Sequence, residues 1–254
     1  MEKSIAGKPD TREEIFLWAP KGLQVSPDGR YAAYYVLYNS ASLSADGVPV
    51  QLFNLGKPTE KPVEVGAGLA YPEWLSWSPD GSQLAFIEGT GREATQGKRL
   101  RVVDRSGLVL YETAAANTVS FPVWTTEKPY SLFFASGTGV PYHYEEHKVL
   151  VPGQRIHKRD ASGTVRQVTR GTQLTADTFP VPSPDGNQLL FLRLNEAGKG
   201  SLFLLKDGVE TELIRHVTGD IGYYGSYLPK WVQVSWEKQT GLRSDLSIDT
   251  RSSL

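Results

Sequence analysis

Val25-Ser26-Pro27-Asp28-Gly29-Arg30-Tyr31-Ala32-Ala33-Tyr34-Tyr35 returns twice in this chain. The later copies are Trp77-Ser78-Pro79-Asp80-Gly81-Ser82-Gln83-Leu84-Ala85-Phe86-Ile87 and Pro182-Ser183-Pro184-Asp185-Gly186-Asn187-Gln188-Leu189-Leu190-Phe191-Leu192. Each joins a tight turn to an apolar strand. Serine at the first turn position makes a local hydrogen bond, proline presets φ at the second, aspartate suits the third and glycine closes the fourth. Apolar residues on both sides read as two antiparallel strands. The serines stand at 26, 78 and 183, so the second gap holds about two periods and a further copy is expected inside it. Phe121-Pro122-Val123-Trp124-Thr125-Thr126-Glu127-Lys128-Pro129-Tyr130-Ser131-Leu132-Phe133-Phe134 fills that gap, with Trp124 where Trp77 falls and Phe133-Phe134 where Phe86-Ile87 fall. A weaker fifth copy is read over residues 227–236, which hold Trp231 and Trp236.

A second hairpin follows each turn. Leu100-Arg101-Val102-Val103-Asp104 reverses through Arg105-Ser106-Gly107, Ile156-His157-Lys158-Arg159-Asp160 through Ala161-Ser162-Gly163, and Leu202-Phe203-Leu204-Leu205 through Lys206-Asp207-Gly208. Each unit therefore has four antiparallel strands, A to D. Repetition of such a unit at this period describes the blades of a β-propeller, whose radial arrangement protects the sheet edges. The expectation is an all-β, single-domain propeller of four-stranded antiparallel blades. Five blades are expected, with six as the alternative, at residues 13–66, 67–115, 116–171, 172–217 and 218–254. The segment before Arg12 is expected to supply the missing strand of the last blade and close the ring.

Composition narrows the function classes. The chain has 254 residues, a net charge of −1 and no cysteine. A thiolate metal site, a disulfide scaffold and a cysteine nucleophile are excluded. The charge balance gives no broad basic field, so no nucleic-acid partner is expected. The run Lys98-Arg99-Leu100-Arg101 reads as a solvated strand start. Residues 1–14 are polar, and no stretch reaches membrane-spanning length. The chain as it stands reads as soluble, cytoplasmic and without direct membrane insertion; cut from a longer exported or anchored protein, it would be extracytoplasmic.

The repeated Ser-Pro-Asp-Gly turn, the strand after it and the Arg101-Val102-Val103-Asp104-Arg105-Ser106-Gly107 hairpin resemble the TolB-type propeller repeat, as does the hairpin from Ile156 to Thr169. The resemblance covers nearly all of the chain beyond about residue 15. It implies a propeller that acts as an interaction scaffold with a protein or peptide partner and no cofactor. The chain carries no Gly-x-Ser-x-Gly elbow of the kind found in the hydrolase domain beside prolyl-peptidase propellers.

Candidate chemistry is sparse, and no catalytic residue is expected. Tyr142-His143-Tyr144-Glu145-Glu146-His147 contains a formal His-x-x-Glu-His pattern. That pattern binds metal only when a helix brings both histidines to one face. Pro141 and Pro152 bracket a loop instead, and a polar, aromatic surface loop is the preferred reading. An alternative is a metal-assisted carbohydrate lyase or hydrolase using His143 and His147, with His157 and a glutamate nearby. Asp28, Asp80 and Asp185 recur because the turn needs them.

Loop length gives a positional clue. The B–C loops at residues 37–48, 89–98 and 136–154 are long, and long loops often carry function. They share a face with the starts of the A strands, which hold Tyr71, Trp74, Phe121, Phe179, Tyr223 and Tyr224. The expected binding residues are Tyr71, Trp74, Phe121, Tyr142, His143, Tyr144, His147, Tyr223 and Tyr224. The competing expectation is that the A-strand aromatics pack between blades and plug the channel. The leading reading is a non-enzymatic protein- or peptide-binding scaffold; a third is the ligand-sensing domain of a membrane-anchored regulator.

Overall fold

A computed structural model describes residues 20–141, 151–195, 197–218, 233–237 and 245–249. The first sheet is β1 (Lys21–Val25), β2 (Tyr31–Tyr35), β3 (Val48–Asn54) and β4 (Val63–Gly68). The second is β5 (Leu75–Trp77), β6 (Gln83–Glu88), β7 (Arg99–Asp104) and β8 (Val109–Glu112). The third is β9 (Asn117–Trp124), β10 (Leu132–Thr138), β11 (Arg155–Arg159) and β12 (Val165–Gln167). The fourth is β13 (Thr175–Pro182), β14 (Gln188–Asn195), β15 (Lys199–Lys206) and β16 (Val209–Thr218). Each is an antiparallel meander in chain order. A two-stranded sheet, β17 (Gln233–Glu237) with β18 (Asp245–Asp249), follows. The described residues thus form four four-stranded sheets, not the five or six expected, and no closed ring. The fifth unit enters only as β17 and β18, because the rest of residues 219–254 lies outside the described residues. So does the segment before Arg12.

The three Ser-Pro-Asp-Gly turns have one hydrogen-bond pattern. The glycine N–H donates to the serine carbonyl at 2.8 Å in all three. The serine hydroxyl accepts at 2.9 Å from the N–H of Tyr31, Gln83 or Gln188 and donates to the turn aspartate. The aspartates are therefore consumed by the turns. In the degenerate copy Thr125 takes the serine's place, accepting from Ser131 N–H at 2.8 Å.

Strand alternation sorts the core. On β6, Leu84 and Phe86 face the first sheet while Ala85 and Ile87 face the third. On β10, Leu132 and Phe134 join the latter cluster, while Phe133 and Ala135 pack with Leu189 and Phe191 of β14. Sheets buried on both faces need such unbroken apolar strands, which is why these runs do not alternate with polar residues. Successive sheets are also tied by tryptophan N–H groups. Trp77 donates to Gln24 O at 3.3 Å, Trp124 to Ser76 O at 3.1 Å and Trp236 to Val181 O at 3.2 Å. Each donor stands at the end of a first strand and reaches the first strand of the preceding sheet. Trp236 of β17 therefore docks on the fourth sheet as Trp77 and Trp124 dock on theirs.

First strands are bulged four residues before the turn serine or threonine. Gly22, Phe121 and Phe179 sit there with φ of 64°, 54° and 53°, and the ladder register slips at each. Phe121 and Phe179 hold a conformation that L residues adopt at a cost of about 1–2 kcal/mol each. The bulge turns their rings inward, 4.1 Å apart between centroids. At the matching place in the second sheet, a 3-10 turn over Pro72–Trp74 delivers Trp74 instead.

One buried charge cluster joins the third and fourth sheets. Asp177 of β13 is fully buried. Both its oxygens accept from Arg193 of β14, at 2.7 and 2.9 Å, and Arg193 also donates to Glu210 at 2.9 Å. Arg155, 4% exposed, lies 3.9 Å from the same carboxylate and donates to the carbonyls of Gln154, Thr172 and Thr175.

Candidate functional site

The loop between β2 and β3 contains a helix, α1 (Ala41–Ala45), whose first turn is capped by the Ser40 hydroxyl accepting from Leu43 N–H. Ser44 Oγ accepts from Tyr38 N–H at 2.9 Å and donates to Tyr38 O at 3.1 Å, folding the helix back on its own approach. The 37–48 loop thus carries a helix of its own. Between α1 and the connection from β4 to the 3-10 turn lies a cleft of about 520 Å3. Leu37, Ala41, Ala45, Leu69 and Ala70 make it apolar, Tyr38 and Tyr71 supply aromatic walls, and Lys21, Asn39 and Ser44 are its polar members. Tyr71 is fixed from beneath: its carbonyl accepts from the buried Tyr35 hydroxyl at 3.3 Å. Burial pushes that phenol's pKa up, so it stays a donor through the ordinary pH range.

The neighbouring loop braces α1. Arg92 donates to both oxygens of the Asp46 carboxylate and to Ser42 Oγ at 2.7 Å, and Gly91 N–H donates to Asp46 O at 2.6 Å. The hydrogen bond from Arg92 holds the Asp46 carboxyl below the usual carboxylate range. The third loop joins the second through Val140 N–H on Thr95 O at 3.0 Å.

Lys98 in turn holds the bracing loop. It is 1% exposed, and its ammonium donates to the carbonyls of Thr90, Gly91 and Gln96 at 2.9, 3.1 and 3.3 Å. Arg99 and Arg101 pair with Glu88 and Glu112 across the sheet. The basic run expected to be solvated is instead a buried clamp followed by an ion-pair ladder, because each arginine meets a carboxylate on a neighbouring strand. Burial pulls the Lys98 pKa down to about 8. Below pH 8 the amine is charged in both the folded and unfolded chain, and the fold bears the burial cost in full. From there to about 10.4 the unfolded chain keeps a proton that the folded chain has released, so stability rises with pH. The rise from this residue reaches about 3 kcal/mol. Urea denaturation between pH 7.5 and 10 should show it, and Lys98→Met should flatten that slope.

Of the expected binding residues, Tyr71, Trp74 and Phe121 are brought together, but as a line of packed rings. Tyr71 meets Trp74 edge-on at 4.9 Å, Trp74 lies 6.5 Å from Phe121, and Phe121 meets Phe179. Trp74 is 1% exposed and Phe121 8%, so both serve the core, and Tyr71 is the member that reaches the cleft. Tyr142, His143, Tyr144, His147, Tyr223 and Tyr224 lie outside the described residues. His157 stacks on Phe134 at 5.7 Å with Nδ1 3.2 Å from Arg155 O, and burial lowers its pKa. Among the described residues no three His, Asp or Glu side chains converge as metal ligands, and no helix is long and apolar enough to cross a membrane. Lys21, Tyr38 and Arg92 escaped the sequence reading. Ser40, standing before Ala41-Ser42-Leu43, is the capping signal that could have located α1.

No protein-family model and no curated protein matches the chain. Its structure is similar to several solved ones at low identity. TolB from Acinetobacter baumannii is 15% identical with a TM-score of 0.49, over 90% of this chain and 51% of that one. An oligogalacturonate lyase from Vibrio parahaemolyticus is 14% identical with a TM-score of 0.47, over 88% of this chain and 60% of that one. Oligopeptidase B from Leishmania major is 13% identical with a TM-score of 0.46, over 85% of this chain and 29% of that one. The chain thus spans less than two thirds of each of these proteins. Similarity at this level assigns it neither substrate nor activity.

Proposed function

We propose that this chain is a non-enzymatic binding module that holds a peptide or an extended segment of a partner protein in the cleft between α1 and Tyr71. One observation carries the reading: the cleft is apolar and aromatic, about 520 Å3 in volume, and its rim is set in advance by Arg92 on Asp46 and Ser42. That size and lining suit a ligand site, and a rim already fixed spares the ordering cost of binding. Neither nucleic acid nor membrane is assigned a part.

The same proposal takes the architecture as a TolB-like, closed five-bladed propeller, with β17 and β18 in the last blade and the N-terminal segment completing it. The Trp236 clamp on Val181 supports this. So do Leu23 and Val25, which are 54% and 53% exposed on β1, where a preceding blade would cover them.

Panning a random-peptide library against the immobilised chain tests the function. An apolar motif should be enriched, and its affinity should fall about tenfold or more in Tyr71→Ala. Recovery no better than from Ala41→Trp, which fills the cleft, would sink the proposal. Stoichiometric metal in the purified chain, lost on replacing His143 and His147 by alanine, would point to the metal-assisted lyase or hydrolase instead.

A further inference from the structure

We propose that the cleft takes the C-terminal end of a partner polypeptide, with its terminal carboxylate on the Lys21 ammonium and its last apolar side chain against Leu37 and Leu69. This rests on the peptide-binding reading above and adds which part of the peptide is recognised.

Lys21 supplies the one formal charge on the cleft lining and has no partner among the described residues. Five arginines elsewhere are engaged, Arg92 on Asp46, Arg99 and Arg101 on Glu88 and Glu112, Arg105 on Asp28 and Arg193 on Asp177, while Lys199 and Lys206 of β15 are exposed but do not line this cleft. An unengaged cation beside a largely apolar and aromatic lining is complemented by one anion on an apolar body. The other polar members divide the same way. Ser44 Oγ is spent on the Tyr38 backbone, whereas the exposed Asn39 amide is left to bond a peptide group.

A chain end suits this arrangement better than an internal acidic residue. It places the carboxylate, the last peptide group and the last side chain within one residue of each other. An internal Asp or Glu would hold its charge a side chain's length away and require the backbone to leave the cleft in two directions. A volume of about 520 Å3 accommodates about two or three residues rather than a through-running segment.

Two arrays of the same random hexapeptides, tethered by their N-termini, test the inference. One array ends in free carboxylates and the other in carboxamides. Binding should favour the carboxylate array by about tenfold or more, with an apolar last residue, since a charge-assisted contact is at stake. Lys21→Met should reduce carboxylate peptides to the level of the amides with an unchanged melting midpoint, because Lys21 is exposed and unpaired. Ala41→Trp should abolish both signals. Equal binding to the two arrays, lost in Ala41→Trp, would overturn the C-terminal inference and leave the peptide-binding reading standing. Carboxylate preference that survives Lys21→Met, or amide peptides selected for internal Asp or Glu, would also overturn it. Binding to neither array would overturn both.

Discussion

Asp177→Ala is expected to cost about 3–5 kcal/mol of unfolding free energy. The carboxylate is fully buried and takes two hydrogen bonds from Arg193. Its removal leaves two guanidinium groups, Arg193 and the nearly buried Arg155, facing each other without the anion between them. Arg193 would keep Glu210 and its stacking on Phe191 and Phe203 at 5.3 and 4.8 Å, which softens the loss without cancelling it. The pair itself is not the source of the stability, since desolvation offsets most of its attraction. The double variant Asp177→Leu/Arg193→Met should therefore lose clearly less than the sum of the two single variants. Urea denaturation of the four proteins measures this. Strict additivity would show that the charges are uncoupled and that the structural reading of the cluster is wrong.

Trp74→Ala comes next, at about 3–5 kcal/mol, from a cavity that the surrounding rings cannot fill by relaxing. Trp74 bridges Tyr71 to Phe121, and through Phe121 to Phe179. The loss would run along the line of rings joining the second, third and fourth sheets. Its Nε1 has no hydrogen-bond partner among the described residues, so Trp74→Phe removes volume and no bond. Trp124→Phe should cost more than Trp74→Phe, because it leaves the Ser76 carbonyl, which now accepts at 3.1 Å, without its donor. The same pair of variants separates packing from binding. A Trp74→Phe protein that melts like the parent but loses peptide affinity would make Trp74 a ligand contact, against the burial seen for it.

Legibility followed the range of the interactions. The turns were readable because their hydrogen bonds close within five residues. Ser26, Asp28, Gly29 and Tyr31 satisfy one another wherever the rest of the chain goes. The degenerate copy was readable because Trp124 and Phe133-Phe134 keep the spacing of Trp77 and Phe86-Ile87. The apolar runs of β6, β10 and β14 read as strands beside their turns, and the structure buries them on both faces.

The cleft was legible only as a face. Tyr71 was placed near it by loop length, but α1, Lys21 and the Arg92 brace were not, since Asp46 and Arg92 are far apart in the chain and meet only when two sheets stack. The basic run from Lys98 to Arg101 looked solvated because its partners, the carbonyls of the 89–98 loop and the carboxylates of Glu88 and Glu112, are set by loop closure and strand register. Composition likewise could not tell a rim aromatic from a core one. Phe121 and Phe179 turn inward because bulges at φ near 50° re-aim them, and Trp74 goes the same way through a 3-10 turn. By itself, then, the sequence determined the repeating four-stranded unit, since its turns and strands are stabilised by neighbours along the chain. The tertiary structure alone decided which aromatics pack, which charges are buried and where a ligand can enter, since each depends on side chains of different sheets meeting across an interface.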